Sequence, residues 1–304
     1  MSLRILFFGT QDNGAPFLKG LLANGKHPAA GVVVPPQKKI AGRGPRAWLR
    51  MAQQTWQGWM PPAGTTSGIA RRAGLPVWNQ PLNTASFSEF VARLKPDLFV
   101  VASFSRILKP QTLSLAPRGV INVHPSLLPK YRGADPIFWA LVNNEKETGI
   151  TVHWMDEGVD TGSLLGQRVL PIGEGEDSIS LARKLTAAGV ELLVEVLDQI
   201  ESGRAVSVSQ DEAGASYFPP ASKEYRTIRW EDCADSIQRL VRASISYGGA
   251  SAVIEGRPVK IIKSEAMERT PQPFPGRLLD RRDGWAKVSC KDAVLKLVFA
   301  GGTS

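Results

Sequence analysis

Apolar residues recur along the first half of the chain in short continuous runs separated by longer mixed segments. Ile5–Phe8, Ala30–Val34, Asp97–Ala102 and Val120–Val123 read as strands, and Leu75–Trp78 as a shorter one. Continuous rather than alternating apolar runs are what a sheet covered on both faces requires. Ala15–Ala23 and Phe87–Leu94 read as helices between them, the second stopped by Lys95-Pro96. This alternation predicts an α/β fold, Rossmann-like, with a mostly parallel sheet. Further on, Pro136–Val142 reads as a helix, and Thr151–Met155 with Ser163–Leu170 as a hairpin around Asp156–Gly162. Ser178–Glu201 reads as a long amphipathic helix, opened by Asp177-Ser-Ile-Ser and closed by Ser202-Gly203.

The pattern then changes. Val206–Pro220 has little periodicity and reads as a linker. Beyond it, a helix at Ala234–Ser244 precedes short strands at Ala252–Ile254, Pro258–Ile262, Gly276–Asp280, Trp285–Cys290 and Val294–Phe299. Such strands predict a small OB-like β-barrel. The expected organisation is a catalytic domain over residues 1–205, a linker over 206–221 and a C-terminal β-barrel domain over 222–304.

Charge sharpens this picture. The 304 residues carry a net +9, yet residues 1–96 hold 12 Lys/Arg against two Asp/Glu. The excess points to a polyanionic partner. The connection from Val34 to Thr66 gathers Lys38, Lys39, Arg43, Arg46 and Arg50 with Trp48, Trp56 and Trp59, and no acid. Cations for phosphates and indoles for stacking suit a single-stranded nucleic-acid end. A helix with its indoles packed and its cations solvated fits the same residues. No run of about 18 apolar residues is present, so no membrane span is expected. There is no signal-peptide pattern, and Cys233 and Cys290 lack metal-ligand spacing. A monomeric cytoplasmic protein without a metal is the expectation.

The chemistry concentrates in Asn122-Val-His124-Pro-Ser-Leu-Leu-Pro-Lys-Tyr-Arg132-Gly and in Gly158-Val-Asp160-Thr-Gly162. An amide, an imidazole and a carboxylate are what acyl transfer to an amine needs. Asn122 donates to a carbonyl oxygen gaining charge, His124 manages a proton, and Asp160 orients it. Asn122 and His124 are two apart, so on a strand they share a face. Lys130 and Arg132 suit an acceptor phosphate or carboxylate, or plain solvation. His153 reads as a structural core histidine. Gly9–Gly14 lacks the spacing of a dinucleotide fingerprint and reads as a turn.

At these residues the chain resembles the formyltransferases that use 10-formyltetrahydrofolate. Asn122–Gly133 and Gly158–Gly162 are similar to that family's signature segments, and so are Thr148-Gly-Ile-Thr151 and Phe104-Ser-Arg-Ile-Leu108. The resemblance implies catalytic roles for Asn122, His124 and Asp160. It implies that Phe104, Ser105, Arg106, Ile107 and Leu108 hold the pterin, with Asp156 and Gly158 also at the folate. It places the acceptor against Ser126, Lys130, Arg132, Gly133 and the basic connection. Ile5-Leu-Phe-Phe-Gly-Thr10, Ala41-Gly-Arg-Gly44 and the C-terminal strands are similar to members that formylate methionyl-tRNA for translation initiation. Two segments depart from those members: Ser244-Ile-Ser-Tyr-Gly-Gly249 and Ile228-Arg-Trp230. A nucleotide-linked amino sugar, or water, stays open as the acceptor.

Overall fold

The computed structural model describes residues 2–36 and 63–301. The basic connection, with Lys38, Lys39, Arg43, Arg46, Arg50 and the three tryptophans, lies outside the described residues. In chain order the first elements are β1 (Ile5–Gly9), α1 (Ala15–Asn24), β2 (Ala29–Val33), α2 (Thr66–Arg72), β3 (Val77–Trp78), α3 (Ala85–Leu94), β4 (Leu98–Ala102), α4 (Pro110–Leu113) and β5 (Val120–His124). They continue with β6 (Arg132–Gly133), α5 (Pro136–Val142), β7 (Glu147–Trp154), β8 (Leu164–Pro171), α6 (Ser178–Glu201), β9 (Tyr217–Phe218) and α7 (Ala234–Ala243). The chain closes with β10 (Ala250–Ile254), β11 (Arg257–Glu268), β12 (Leu278–Arg282), β13 (Trp285–Ser289) and β14 (Val294–Phe299).

The described residues form two compact units. One holds the described residues up to His124, with Ile150–Arg168 and Thr186–Ala213; the other holds Pro125–Gly149, Val169–Leu185 and the described residues from Gly214 onward. The first is built on a sheet of order β3-β2-β1-β4-β5-β7-β8. Its first five strands run parallel, and β7 turns antiparallel on β5. Every residue of β1, β2 and β4 is buried, which explains their unbroken apolar runs. Leu6 and Phe8 on β1, Phe99 and Val101 on β4, and Val120 on β5 line one face. Phe87, Phe90 and Val91 of α3 pack there at helical spacing. Thr84 caps α3 by accepting from the Phe87 amide at 3.2 Å, and Lys95 ends it in the left-handed region at φ 46° before Pro96. Two helices escaped the sequence reading. α2 is seven residues long with Gly68 inside it, and α4 has only four. Segments that short carry almost no periodic signal.

In the second unit, β10 to β14 form an antiparallel sheet of order β10-β11-β14-β13-β12. Ala234, Ile237 and Val241, three and four apart on α7, bury against Ala252, Ile254, Ile261, Ala286, Val288, Leu295 and Leu297. β11 runs six residues past its expected end, because Lys263–Glu268 alternates too weakly in hydrophobicity to read as strand.

The segment expected as a free linker is bonded along its length. Within the first unit, Val208 and Leu164 exchange backbone hydrogen bonds at 2.8 and 2.9 Å. Within the second, β9 pairs with β6. Pro125–Gly149 also groups with the later residues, not with the catalytic half. The cause is α5, whose Trp139 packs on Phe218 and Tyr225 and donates from its indole to Pro219 O at 2.8 Å. Aromatic contacts 80 residues apart leave no local trace in a sequence.

Tyr131 anchors the same cluster, stacked on Phe218 at 4.8 Å and donating to Glu145 Oε1 at 2.6 Å. Burial and the Glu145 carboxylate push its hydroxyl up to about 12. A raised acid of this kind adds stability in full below its unfolded value of roughly 10, and the gain disappears as pH rises through the folded value. Tyr131→Phe should cost about 1 kcal/mol at pH 8. Denaturant unfolding repeated above pH 10 should show the gap to wild type closing.

Candidate active site

Asn122 and His124 point to one face of β5. The antiparallel register sets His153 of β7 directly opposite Asn122, and Thr151 opposite His124. Cross-strand partners share a face. The His124 and His153 rings stand edge to face at 6.4 Å, and both residues are buried.

Asp160 arrives from the far end. The loop after β7 starts at Met155, whose N–H donates to Val120 O at 2.8 Å, at the first residue of β5. His124 is the last. The loop therefore turns back across the sheet face to set the Asp160 carboxylate among the three side chains. Oδ2 lies 3.6 Å from His124 Nδ1; Oδ1 lies 3.6 Å from His153 Nε2 and 3.4 Å from Asn122 Nδ2. At 3.6 Å the two imidazole contacts are longer than hydrogen bonds. Catalytic hydrogen bonds are commonly long before substrate closes the site.

His153, read from the sequence as a structural core histidine, is buried beside these groups. Its Nδ1 lies 2.7 Å from Trp154 O, an acceptor, so the proton sits on Nδ1. Nε2 is then free to accept from Asn122 Nδ2 at 3.2 Å. His153 thereby fixes which end of the Asn122 amide faces Asp160. The signal for this was the strand register, which no single segment displays.

The loop carrying Asp160 is held at several points. Asp156 Oδ1 accepts from Gly158 N at 3.0 Å and from Thr161 Oγ1 at 2.6 Å. Asp156 and Gly158, expected at the folate, thus shape the loop itself. Asp160 takes φ 55°, a left-handed conformation. A side chain at Gly162 would put its Cβ 1.8 Å from Trp154 O, so only glycine fits. The Gln210 amide donates to Asp160 O at 2.8 Å and to Gly162 O at 2.7 Å.

The loop after β4 presents a different chemistry. Phe104 packs edge-on against Phe8, and Leu108 is buried, while Ser105 and Arg106 are exposed and Ile107 is 81% exposed. Among the described residues, the backbone of Phe104–Leu108 enters no backbone hydrogen bond. Free amides and carbonyls beside an exposed apolar side chain fit a flat heterocycle with polar edges, which is the character of a pterin.

The remaining expected residues belong to the second unit. Ser126 is buried and donates to Lys130 O at 2.8 Å, closing its own turn. Gly133, at φ 96°, would drive a Cβ to 2.4 Å from Phe218 O. Arg132 is fully buried, its guanidinium donating to the Tyr217 hydroxyl and lying 5.2 Å from that ring's centre. The acceptor contact expected for it would need this guanidinium, which has no exposed surface here, to be uncovered. Lys130 is the exposed cation of the loop.

One group of side chains among the described residues has metal-ligand character: His27, Asp198 and Glu201, with ligand atoms within 4.8 Å of one another. Lys26 Nζ already lies 2.7 Å from Asp198 and 3.3 Å from Glu201. Hydrogen bonds from Lys26 and His27 hold the Asp198 carboxyl below its usual range. An ammonium thus already pairs with both carboxylates.

The chain matches the family described as Formyl transferase over residues 3–197, and the Formyl transferase C-terminal domain over residues 220–299. It is 36% identical over 299 residues to the methionyl-tRNA formyltransferase of Caldanaerobacter subterraneus subsp. tengcongensis, covering 97% of this chain and 91% of that one. It is 39% identical over 277 residues to the methionyl-tRNA formyltransferase of Anaeromyxobacter dehalogenans, covering 90% and 84%. The fold is shared with HypX from Aquifex aeolicus in complex with tetrahydrofolic acid, at TM-score 0.68 and 21% identity over 98% of this chain and 44% of that one. It is shared also with an N-formyltransferase from Helicobacter canadensis bound to folinic acid and dTDP-3-aminofucose, at TM-score 0.67 and 20% identity over 98% and 99%.

His153→Phe should lower turnover about tenfold, the worth of one hydrogen bond of roughly 1.4 kcal/mol, with Michaelis constants within about twofold. Steady-state kinetics on a folded variant decides it. Unchanged turnover would mean that the Asn122 amide needs no such partner.

Proposed function

The chain belongs to the formyl transferase family, and on that footing we propose that it transfers a formyl group from 10-formyltetrahydrofolate to the free amino group of methionyl-tRNA, the step that prepares the initiator for translation. The observation that carries the chemistry is the convergence of Asn122, His124 and Asp160 on one sheet face. The acceptor rests on similarity that runs nearly end to end with methionyl-tRNA formyltransferases. The strongly basic first third of the sequence supports it. This acceptor places the reaction in the cytoplasm. No helix among the described residues is long and apolar enough to cross a membrane.

The residues divide the work. The Phe104–Leu108 backbone holds the pterin edge. The uncharged amine attacks the formyl carbon, so a carbon–nitrogen bond forms and negative charge moves onto the formyl oxygen. One hydrogen of Asn122 Nδ2 is taken up by His153. The other points toward Asp160 across a loose 3.4 Å and is the one offered to that oxygen. Protonated His124 donates to it as well. Asp160 lies close enough to His124 to stabilise its charged form and to take a proton from the attacking amine. The bond from the formyl carbon to N10 of the folate then breaks, and that nitrogen gains a proton. A well-placed donor to such an oxygen is worth about 3 kcal/mol. Lys130, exposed on its loop, is suited to an acceptor phosphate.

Asn122→Ala and Asp160→Ala should each cut turnover at least ~100-fold on that magnitude, with acceptor binding retained. The assay supplies purified protein and 10-formyltetrahydrofolate with charged initiator methionyl-tRNA, with nucleotide-linked amino sugars, or with no acceptor. Transfer to a sugar alone overturns the acceptor and leaves the chemistry. Formate release without an acceptor makes the protein a hydrolase. A near-wild-type Asp160→Ala enzyme removes the carboxylate from the mechanism.

Salt gives a second handle. Binding of tRNA through several phosphates should weaken by orders of magnitude between 50 and 200 mM salt, on the counterion-release scale of roughly 10³ or more for six contacts. A flat titration would mean that the basic first third does not meet the RNA.

A further inference from the structure

Asp160 sits on a loop with no ladder or helix of its own, turned back from the wrong end of β5. Its backbone occupies a left-handed conformation, φ 55°, that a non-glycine residue holds only when its surroundings impose it. Its carbonyl is held by a group from 50 residues further along, in the segment that the sequence presents as a linker. Gln210 donates from its amide nitrogen, Nε2, to the carbonyl oxygens of Asp160 and Gly162, at 2.8 and 2.7 Å. The two hydrogens of one amide thus bracket the residue pair on either side of Thr161. The same segment is pinned two residues earlier by the Val208–Leu164 exchange at 2.8 and 2.9 Å. Gln210 is thereby held against the start of β8, a rigid element, and the loop is held against Gln210.

We propose that Gln210 is a positioning residue for Asp160. It does not touch the reacting atoms. It holds the loop so that one carboxylate oxygen faces His124 while the other faces Asn122 and His153. This rests on the reading of Asp160 as part of the transfer machinery. It adds a residue from beyond the matched catalytic segment, which ends at residue 197. No other side-chain type of that size offers two hydrogens from one atom without a charge. An acid of the same shape would meet two carbonyl oxygens with a negative group.

The test is a double-mutant cycle with Asp160, because a residue that acts only through another loses its effect when that other is gone. Wild type, Gln210→Ala, Asp160→Ala and the double variant are compared in formyl transfer, read as consumption of 10-formyltetrahydrofolate with methionyl-tRNA. Gln210→Ala should lower kcat ten- to a hundredfold and leave the folate KM within about twofold. In the Asp160→Ala background the same substitution should change kcat by less than about twofold. Gln210→Met, which keeps the shape and removes the donors, should behave like Gln210→Ala; it decides the matter if the alanine variant does not fold. Equal losses in both backgrounds, or a Gln210 variant within about twofold of wild type, overturns the inference. An inactive wild-type protein would instead overturn the proposed reaction, so the two failures are distinct.

Discussion

The carboxylate of Asp160 is the contact on which the site depends. It is shared by an imidazole and an amide of β5 and by an imidazole of β7, all within 3.4–3.6 Å. Those three side chains meet only because β7 pairs with β5 in one register. A shift of one residue would send His153 to the opposite face and leave the Asn122 amide without its partner. Strand pairing thus sets the chemistry, and the apolar packing behind it protects the register. β1, β2 and β4 are buried throughout, and their side chains interlock with α3, so the sheet has little freedom to slip.

Buried histidines and a half-buried carboxylate are costly to assemble without compensation. Here each has a designated neighbour. Trp154 O accepts a hydrogen bond from His153 Nδ1, and Asn122 donates to its other nitrogen. Asp160 is kept partly exposed, at 15% of its side chain. The result is a polar cluster inside an apolar sheet with its proton positions largely decided before anything binds. Preorganisation of this kind reduces the rearrangement left to the moment of reaction.

Much of this was legible in the chain. The continuous runs at Ile5–Phe8 and Asp97–Ala102 specified buried parallel strands, and the two-residue spacing of Asn122 and His124 put them on one face. Asp160 was found through its glycine-flanked segment, whose glycines prove necessary: Gly162 leaves no room for a Cβ. What escaped shares one property, which is dependence on distant partners. His153 gained its meaning from the residue across the sheet. Arg132 looked like a surface cation but is buried under Tyr217, 85 residues away. The stretch from Val206 to Pro220 looked slack because its order comes from hydrogen bonds to other segments, not from an internal repeat. Local composition records none of these relations.

That last stretch bears on how the protein divides into parts. By sequence the catalytic half ends near residue 205, and a gene cut there would keep every residue with an evident chemical role. It would nevertheless discard Val208, which is stitched to Leu164, and Gln210, which is bonded to the backbone on both sides of Thr161. The hydrogen bonds that hold the Asp160 loop therefore reach into what looks like a spacer. A shuffled or shortened relative that respected only the visible motifs would inherit the reactive groups without the stretch of chain that sets their spacing.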